Sequence, residues 1–324
     1  VISAVVVNFN GEPWLERCLS SLEASPAHDV QIILVDNAST DGSLDLVQRR
    51  FPRVDVVRMG HNVGFAVANN IGAACSDGDL LLFLNNDAWL TQGSLGALSR
   101  RLESSPDLGL VAPRLVSPDG TEQFSWSPDR SLLGEALQRL RNRHGGKPWN
   151  HGLVERLLRL VFGQGWYSGA CLLIRRRAFE QVSGFDPAYF LYFEDVDLCL
   201  RLRAAGWKLA REDAAEVVHV GGPGTRDDAV ELHYRQSQLY YYSTHRPRWE
   251  EERLWLRIVD AYQEGPIARW LGHGGQPRPL PPDPRELVEE VVEAGVLPKT
   301  TTRRLSRCLE ELSDHGEWRE TVGD

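Results

Sequence analysis

A chain of 324 residues, 42% hydrophobic and 25% charged, has the composition of a globular protein that holds one large α/β domain plus an accessory piece, or two modest domains. Its formal net charge of −9 excludes the broad basic footprint that nucleic-acid binding needs, so no nucleic-acid partner is expected. Five cysteines (Cys18, Cys75, Cys171, Cys199, Cys308) form no CxxC pair and lie mostly in apolar contexts, which excludes a zinc site or disulfide framework and reads as buried thiols in a reducing compartment. The chain opens at Val1 on a strand-like segment without a signal-peptide pattern, no apolar run reaches the length of a membrane span, and a cytoplasmic protein is expected.

In chain order, "ISAVVVNFN" is a β-branched run ending in polar residues, the profile of a buried parallel strand. "EPWLERCLSSLEA" follows with Trp14, Leu15, Cys18, Leu19 and Leu22 at helical spacing. "VQIILVDNAST" predicts a second strand that stops at Asp36, Asn37, Ser39 and Thr40. A helix ("SLDLVQRRF"), a strand ("VDVVRM"), a turn ("GHNVGF") and a helix ("AVANNIGAAC") come next, and "GDLLLFLNNDAWL" predicts an apolar strand capped by Asn85, Asn86 and Asp87. Alternation of strand and helix through about residue 115 points to a mostly parallel central sheet flanked by helices. Ligands of such folds collect beyond the carboxyl ends of the strands, where the polar clusters Asn8–Asn10, Asp36–Thr40 and Asn85–Asp87 all fall.

Residues 115–165 break this rhythm. A strand and helix return in "WYSGACLLIRRRAFEQVSGF", followed by "YFLYFEDVDLCLRL" and "WKLAREDAAEVVHVGG". The stretch around Glu194, Asp195 and Asp197 has two readings. One is a helix start, where acids suit the positive end of the dipole and Asp197 pairs with Arg201 at i,i+4; the other is a catalytic carboxylate at the rim of a cleft. Asp36 is likewise either a turn residue or an acceptor for a nucleobase N–H, and Asn85-Asn86-Asp87 either a turn or an oxygen-rich site for a divalent cation and sugar hydroxyls. His219, among Val217, Val218 and Val220, reads as a core histidine or a metal ligand. No G-x-G-x-x-G follows the first strand and no G-x-x-x-x-G-K-[ST] occurs, so hydride-transfer and kinase readings are weakened and a bound diphosphate must be neutralised mainly by metal.

Taken together, "VVVNFNGEPWLERCLSSL", "IILVDNASTDGS", "HNVGFAVANNIG", "LLLFLNNDAWL" and "SGACLLIRRRAFEQVSGFDPAYFLYFEDVDLCLRLRAAGWKL…VVHVGG" resemble, in order over residues 1–225, the successive signatures of family 2 glycosyltransferases, with the bacterial rhamnosyltransferase-like branch of cell-surface polysaccharide synthesis as the nearest group. The resemblance implies a GT-A fold, inversion at the anomeric carbon, a nucleotide-sugar donor (dTDP- or UDP-linked, rhamnose among the candidates), a divalent cation (Mg²⁺ or Mn²⁺) and a glycan or lipid-linked glycan acceptor. By the same resemblance Asp36 recognises the uracil or thymine ring, and Asn8, Asn10 and Asn37 line the loops beside it. Asn62, Gly64 and Asn69 match the nucleoside and diphosphate segment. Asn85-Asn86-Asp87 stands at the DxD position with Asn85 replacing the first acid, so Asp87 is the expected metal ligand and His219 completes the site. Glu194-Asp195 matches the family's "ED" pair, Asp195 as base and Glu194 its competitor, with Tyr189, Phe190, Tyr192 and Phe193 excluding water. Trp166, Gly169 and Ala170 are candidate acceptor or sugar contacts.

Residues 130–160 carry seven basic side chains (Arg130, Arg139, Arg141, Arg143, Lys147, Arg156, Arg159) against Glu135 and Glu155, with leucines interleaved. This reads either as a helical hairpin with a solvated basic face or as an acceptor platform that meets a lipid diphosphate or an anionic membrane surface. We expect a catalytic domain over 1–245 and a helical extension over 246–324, with a Pro/Gly linker at 272–284, helices near 285–294 and 302–313, and self-association as a role for the extension. Two other readings stand beside the transferase: a non-catalytic nucleotide-sugar-binding relative, and a sugar nucleotidyltransferase, whose lysine-bearing glycine loop "NFNGEPW" does not supply.

Overall fold

A computed structural model of the chain describes residues 1–25, 30–132, 134–135, 162, 165–221 and 228–272. Its first 85 residues alternate strictly: β1 (Ile2–Asn8), α1 (Glu12–Glu23), β2 (Val30–Asp36), α2 (Ser43–Arg50), β3 (Asp55–Arg58), α3 (Phe65–Ala74) and β4 (Leu80–Asn85). Then come β5 (Ala88–Leu90), α4 (Ser94–Glu103), β6 (Leu108–Val116), β7 (Glu122–Gln123), β8 (Trp126–Pro128), β9 (Gly165–Tyr167), β10 (Cys171–Arg175), α5 (Arg176–Gln181), α6 (Glu194–Ala204) and β11 (Lys208–His219). Three helices, α7 (Asp228–His245), α8 (Arg248–Ala261) and α9 (Gly265–Gly272), follow. The expected helices near 285–294 and 302–313, the linker beyond its first residue and most of the basic stretch 130–160 lie outside the described residues.

Among the described residues the main sheet has nine strands in the order β3-β2-β1-β4-β10-β6-β11-β5, with β7 beside β6. β3, β2, β1 and β4 are mutually parallel and β11 runs parallel to β6, whereas β10 is antiparallel to both β4 and β6, so the sheet is mostly parallel as expected. The strands read as unbroken apolar runs because both faces are covered. Val5, Val7, Ile33, Val35, Leu81 and Phe83 face one core with α3, α6 and helices α7 to α9; Ala4, Val6, Ile32, Leu34, Leu82 and Leu84 face the other with α1, α2 and α4. Within α1, Leu15, Cys18, Leu19 and Leu22 are the buried stripe, and each leucine contributes about 1.5–3 kcal/mol by leaving water.

One difference from the sequence reading matters. The apolar run in "LLLFLNNDAWL" ends at Asn85 and turns at Asn86–Asp87, in line with the turn reading, but Ala88–Leu90 then forms a separate strand, β5, that pairs antiparallel with β11 and was not expected. Polar side chains at 85–87 favour a turn over continued pairing, and that turn sets Ala88 opposite His219. The registers of β1 with β2 and β4 then bring Asn8 level with Asp36, and Val7 level with Asn85, at one edge of the sheet. Cys18, Cys75, Cys171 and Cys199 are free and buried, and burial pushes the Cys199 thiol up to about 12, which removes it as a nucleophile. No helix among the described residues is long and apolar enough to cross a membrane.

Candidate active site

The strand ends are cross-linked by amides. Asn8 is fully buried; its Nδ2 donates to Asp36 Oδ1 at 3.1 Å and to Ser39 Oγ at 3.0 Å, and its Oδ1 accepts from Asn86 Nδ2 at 3.0 Å. Asp36 Oδ2 accepts the Ser39 backbone N–H at 3.2 Å, an Asx-type turn, so the turn reading of Asp36 holds geometrically whatever else the carboxylate binds. Asn10 Oδ1 accepts the Thr40 N–H at 2.8 Å. On the other side Asn37 Nδ2 donates to Asn62 Oδ1 at 2.8 Å while Asn37 Oδ1 accepts the Val63 N–H at 2.9 Å. Gly64 has φ +89°, and a Cβ there would lie 2.6 Å from the Phe190 carbonyl oxygen, so only glycine allows the Phe65 N–H to reach that oxygen at 2.7 Å. Asn69 instead bonds back within its own helix, its Nδ2 donating to the Phe65 carbonyl one turn earlier at 2.9 Å.

A second group gathers where β4 ends. His219 Nε2 lies 3.5 Å from Asp87 Oδ1 and 3.5 Å from Asn85 Nδ2, and Asn85 Oδ1 is buried without a hydrogen-bond partner. Burial holds the His219 imidazole below its usual pKa against the pull of Asp87, so the ring is neutral near pH 7. His219 Nδ1 meets Gln123 Oε1 at 2.9 Å. Gly221 leaves room for the ring, since any Cβ there would overlap the imidazole. Among the described residues no three His, Cys, Asp or Glu side chains form a metal cluster. The donor set is therefore Asp87, His219 and the orphaned Asn85 oxygen, which suits a hard cation that draws its remaining oxygens from a diphosphate.

The third group is the carboxylate pair that opens α6. The two residues before it, Tyr192 and Phe193, hold left-handed backbone at φ 68° and 69°, and Phe193 caps the helix. Asp195 Oδ2 accepts the Gly169 N–H at 2.8 Å, and Oδ1 accepts the Val196 N–H at 2.8 Å. Burial pushes the Asp195 carboxyl above the usual aspartate range, while those two N–H groups and the Arg130 charge pull it back. Glu194, 5% exposed, is raised well above the glutamate range, first by burial and then by Asp195, and its Oε2 has no partner. Asp197 fills the structural role expected of it: Arg201 Nε donates to its Oδ2 at 2.7 Å, and His245 Nε2 stands 2.7 Å from Oδ1.

Ala170 joins the last two groups, because its carbonyl accepts the Asn85 N–H at 3.0 Å while its neighbour Gly169 holds Asp195. Beside them the Arg130 guanidinium lies 5.1 Å from the ring centroids of both Trp166 and Phe193, and Arg130 Nε and Trp166 Nε1 are buried with no hydrogen-bond partner among the described residues. Gln123 and Gly221 are site residues to which the sequence reading gave no role, Ser39 had been named only within the cluster Asp36–Thr40, and Arg130 had been counted only with the basic stretch. Ser39 was within reach in "DNAST"; nothing in "DGTEQFSW" marks Gln123.

Residues 3–183 match the family model described as Glycosyl transferase family 2. The chain belongs to that family. As a family 2 glycosyltransferase it also matches, over residues 149–274, the model described as Glycosyl transferase family group 2. It is 34% identical over 271 residues to the N-acetylglucosaminyl-diphospho-decaprenol L-rhamnosyltransferase of Mycobacterium tuberculosis, an alignment covering 79% of this chain and 88% of that one. Rhamnosyltransferase WbbL of Escherichia coli K12 is 26% identical over 234 residues, 68% of this chain and 83% of the relative. Solved structures place the fold in the GT-A class. The mannosyltransferase PcManGT of Pyrobaculum calidifontis, in complex with GDP-Man and Mn²⁺, superposes with a TM-score of 0.53 at 15% identity, over 98% of this chain and 88% of that one. S. aureus TarS 1–349 gives 0.53 at 11% identity, over 100% and 94%.

Proposed function

We propose that this family 2 enzyme is an inverting, divalent-cation-dependent transferase. It moves a sugar from a dTDP- or UDP-linked donor, rhamnose the leading candidate, to a hydroxyl of a lipid-linked glycan acceptor in cell-surface polysaccharide synthesis. The observation that carries the reading is the short path from cation donors to base: Asn85 is tied to Ala170, and Gly169 next to it holds Asp195. The names of the relatives, both rhamnosyltransferases and one acting on a polyprenyl-diphosphate-linked sugar, favour the donor and acceptor classes.

In this reading Asp36, Asn8, Asn10, Asn37, Asn62, Gly64 and Asn69 form or brace the nucleoside pocket. Asp87, His219 and Asn85 would hold the cation, which when bound offsets negative charge on the departing diphosphate. Asn86 braces the turn through Asn8. Asp195 takes the acceptor hydroxyl proton: each of its oxygens accepts one backbone N–H and keeps a second lone pair, and its raised pKa makes it a stronger base than an exposed aspartate. Glu194, more strongly raised by burial and by the Asp195 charge, is the member of the pair that holds a proton the more readily. Trp166, Gly169 and Ala170 line the acceptor side. We divide the chain into a catalytic unit over 1–245 and a C-terminal extension over 246–324, and assign the positive charge of residues 130–160 a part in binding the lipid-borne acceptor at the cytoplasmic membrane surface.

Nucleoside diphosphates and their sugars, each with Mn²⁺, Mg²⁺ or EDTA, are to be compared by thermal shift, which scales with ligand over Kd. Metal-dependent stabilisation by dTDP or UDP species supports the donor reading. Product linkage by NMR, with the anomeric configuration reversed from the donor, supports inversion; retained configuration, or a flat panel at saturating ligand, sinks it. Sedimentation with anionic vesicles tests the membrane surface, and binding unchanged on neutralising Arg139, Arg141 and Arg143 refutes the basic stretch as its carrier.

A further inference from the structure

We propose that Gln123 is the positioning residue that presets His219 as a cation ligand, holding the ring proton on Nδ1 so that Nε2 is the nitrogen turned towards Asp87. The inference rests on the cation reading above and adds a residue to it. Gln123 stands on β7, paired with Leu115 of β6, and its side-chain amide spans the strand end that carries His219.

The assignment follows from what each atom can do. Gln123 Nε2 lies 2.8 Å from the His219 carbonyl oxygen and 3.2 Å from the Gly221 carbonyl oxygen, with Ser117 Oγ at 2.9 Å. Backbone carbonyls only accept, so the amide must present its NH₂ to them, and its orientation is settled. Oε1 is then the atom 2.9 Å from His219 Nδ1. An amide oxygen also only accepts, so Nδ1 carries the proton and, in the neutral ring, Nε2 carries the lone pair. That lone pair faces Asp87 Oδ1 across 3.5 Å. That leaves two acceptors facing each other, met by the Asn85 Nδ2 donor 3.5 Å from Nε2, an arrangement that positive charge between them would stabilise further. The glutamine thus does for His219 what a carboxylate or carbonyl does behind a metal-bound histidine: it fixes the ring and selects the nitrogen.

The test uses the full chain labelled with ¹⁵N-histidine, with the His219 signals identified by their loss in His219→Gln. In EDTA-treated protein near neutral pH, wild type should show the Nδ1–H pattern, and Gln123→Leu should lose it in favour of Nε2–H. Mn²⁺ titrated by electron paramagnetic resonance in the presence of dTDP or UDP should bind Gln123→Leu about 10–100-fold more weakly. Gln123→Glu still offers an oxygen to Nδ1–H but loses the NH₂ that meets the His219 and Gly221 carbonyls, so it should recover the tautomer with only part of the affinity; melting curves keep misfolding apart from mispositioning. An Nε2–H or doubly protonated His219 in wild type overturns the proposal. So does a Gln123→Leu protein with unchanged tautomer and Mn²⁺ affinity, and in that case the cation reading survives. Wild type that binds no Mn²⁺ with either nucleotide overturns the cation reading and this inference together, whatever the tautomer.

Discussion

Gly169 and Asp195, 26 positions apart in sequence, meet through a single hydrogen bond of 2.8 Å from the glycine N–H to carboxylate Oδ2. The bond orients the base without using the lone pair that must take the acceptor proton. Asp195→Asn keeps the size of the side chain and loses the basicity, so kcat should fall by about 10²–10⁴-fold. The nucleotide-dependent thermal shift should remain. A variant with wild-type kcat would move the base to Glu194.

Glu194 makes a prediction in pH. Burial, followed by the Asp195 charge, raises its folded-state pKa well above the glutamate range, so between the unfolded and folded values the native state binds the proton more tightly. The stability this group contributes is complete below the unfolded value of about 4.3 and is lost as pH rises through the folded one. Glu194→Gln is neutral throughout. Its stability relative to wild type should therefore grow with pH, by at most about 1.4 kcal/mol per unit. Urea midpoints across a pH series would read this directly, and a constant offset between the two proteins would refute it.

Asp197 is 1% exposed and shared by Arg201 and His245. Asp197→Ala should destabilise the fold by about 3 kcal/mol, the lower part of the range for breaking a buried pair, because Arg201 still holds the carbonyls of Val182 and Gly184. The loss should appear in chemical denaturation. The affinity of the folded fraction for nucleotide should not change, and a large change there would give Asp197 a role in the site.

Gly221→Ala tests the cation group from its backbone side. The added methyl cannot coexist with the present position of the imidazole. Stabilisation by dTDP or UDP with Mn²⁺ should drop towards the level seen with EDTA, while the metal-free shift stays as in wild type. Equal Mn²⁺ enhancement in both proteins would detach His219 from the cation.

How much of this was legible beforehand depended on whether the signal was local. Strands β1, β2 and β4 are buried on both faces and so appear as unbroken apolar runs, with polar residues wherever a run meets the sheet edge. The helix start at Glu194 and the Asp197–Arg201 pair were equally local, four residues apart on one helix. Strand β5 was hidden because Ala88, Trp89 and Leu90 resume the apolar run just after the turn, although they pair with a different strand. Gln123 and the stacking of Arg130 on Trp166 and Phe193 depend on contacts across the fold that no spacing rule reports. The roles of Asp36, Asp87, His219 and Asp195 came from family resemblance, since each residue alone reads equally well as a turn, cap or core position.

Tyr192 and Phe193 hold a backbone conformation that costs on the order of 1–3 kcal/mol apiece for side chains of their size. The rings offset this by packing: Tyr192 on Tyr234, and Phe193 on Tyr234 and Tyr241 of α7. Glycine at 192 or 193 would relieve the backbone and remove the ring that anchors it, so relaxation and alignment of Asp195 cannot be improved together. In a thermostability selection blind to turnover, this corner is where replacements should accumulate first, and activity should be the first property to drift.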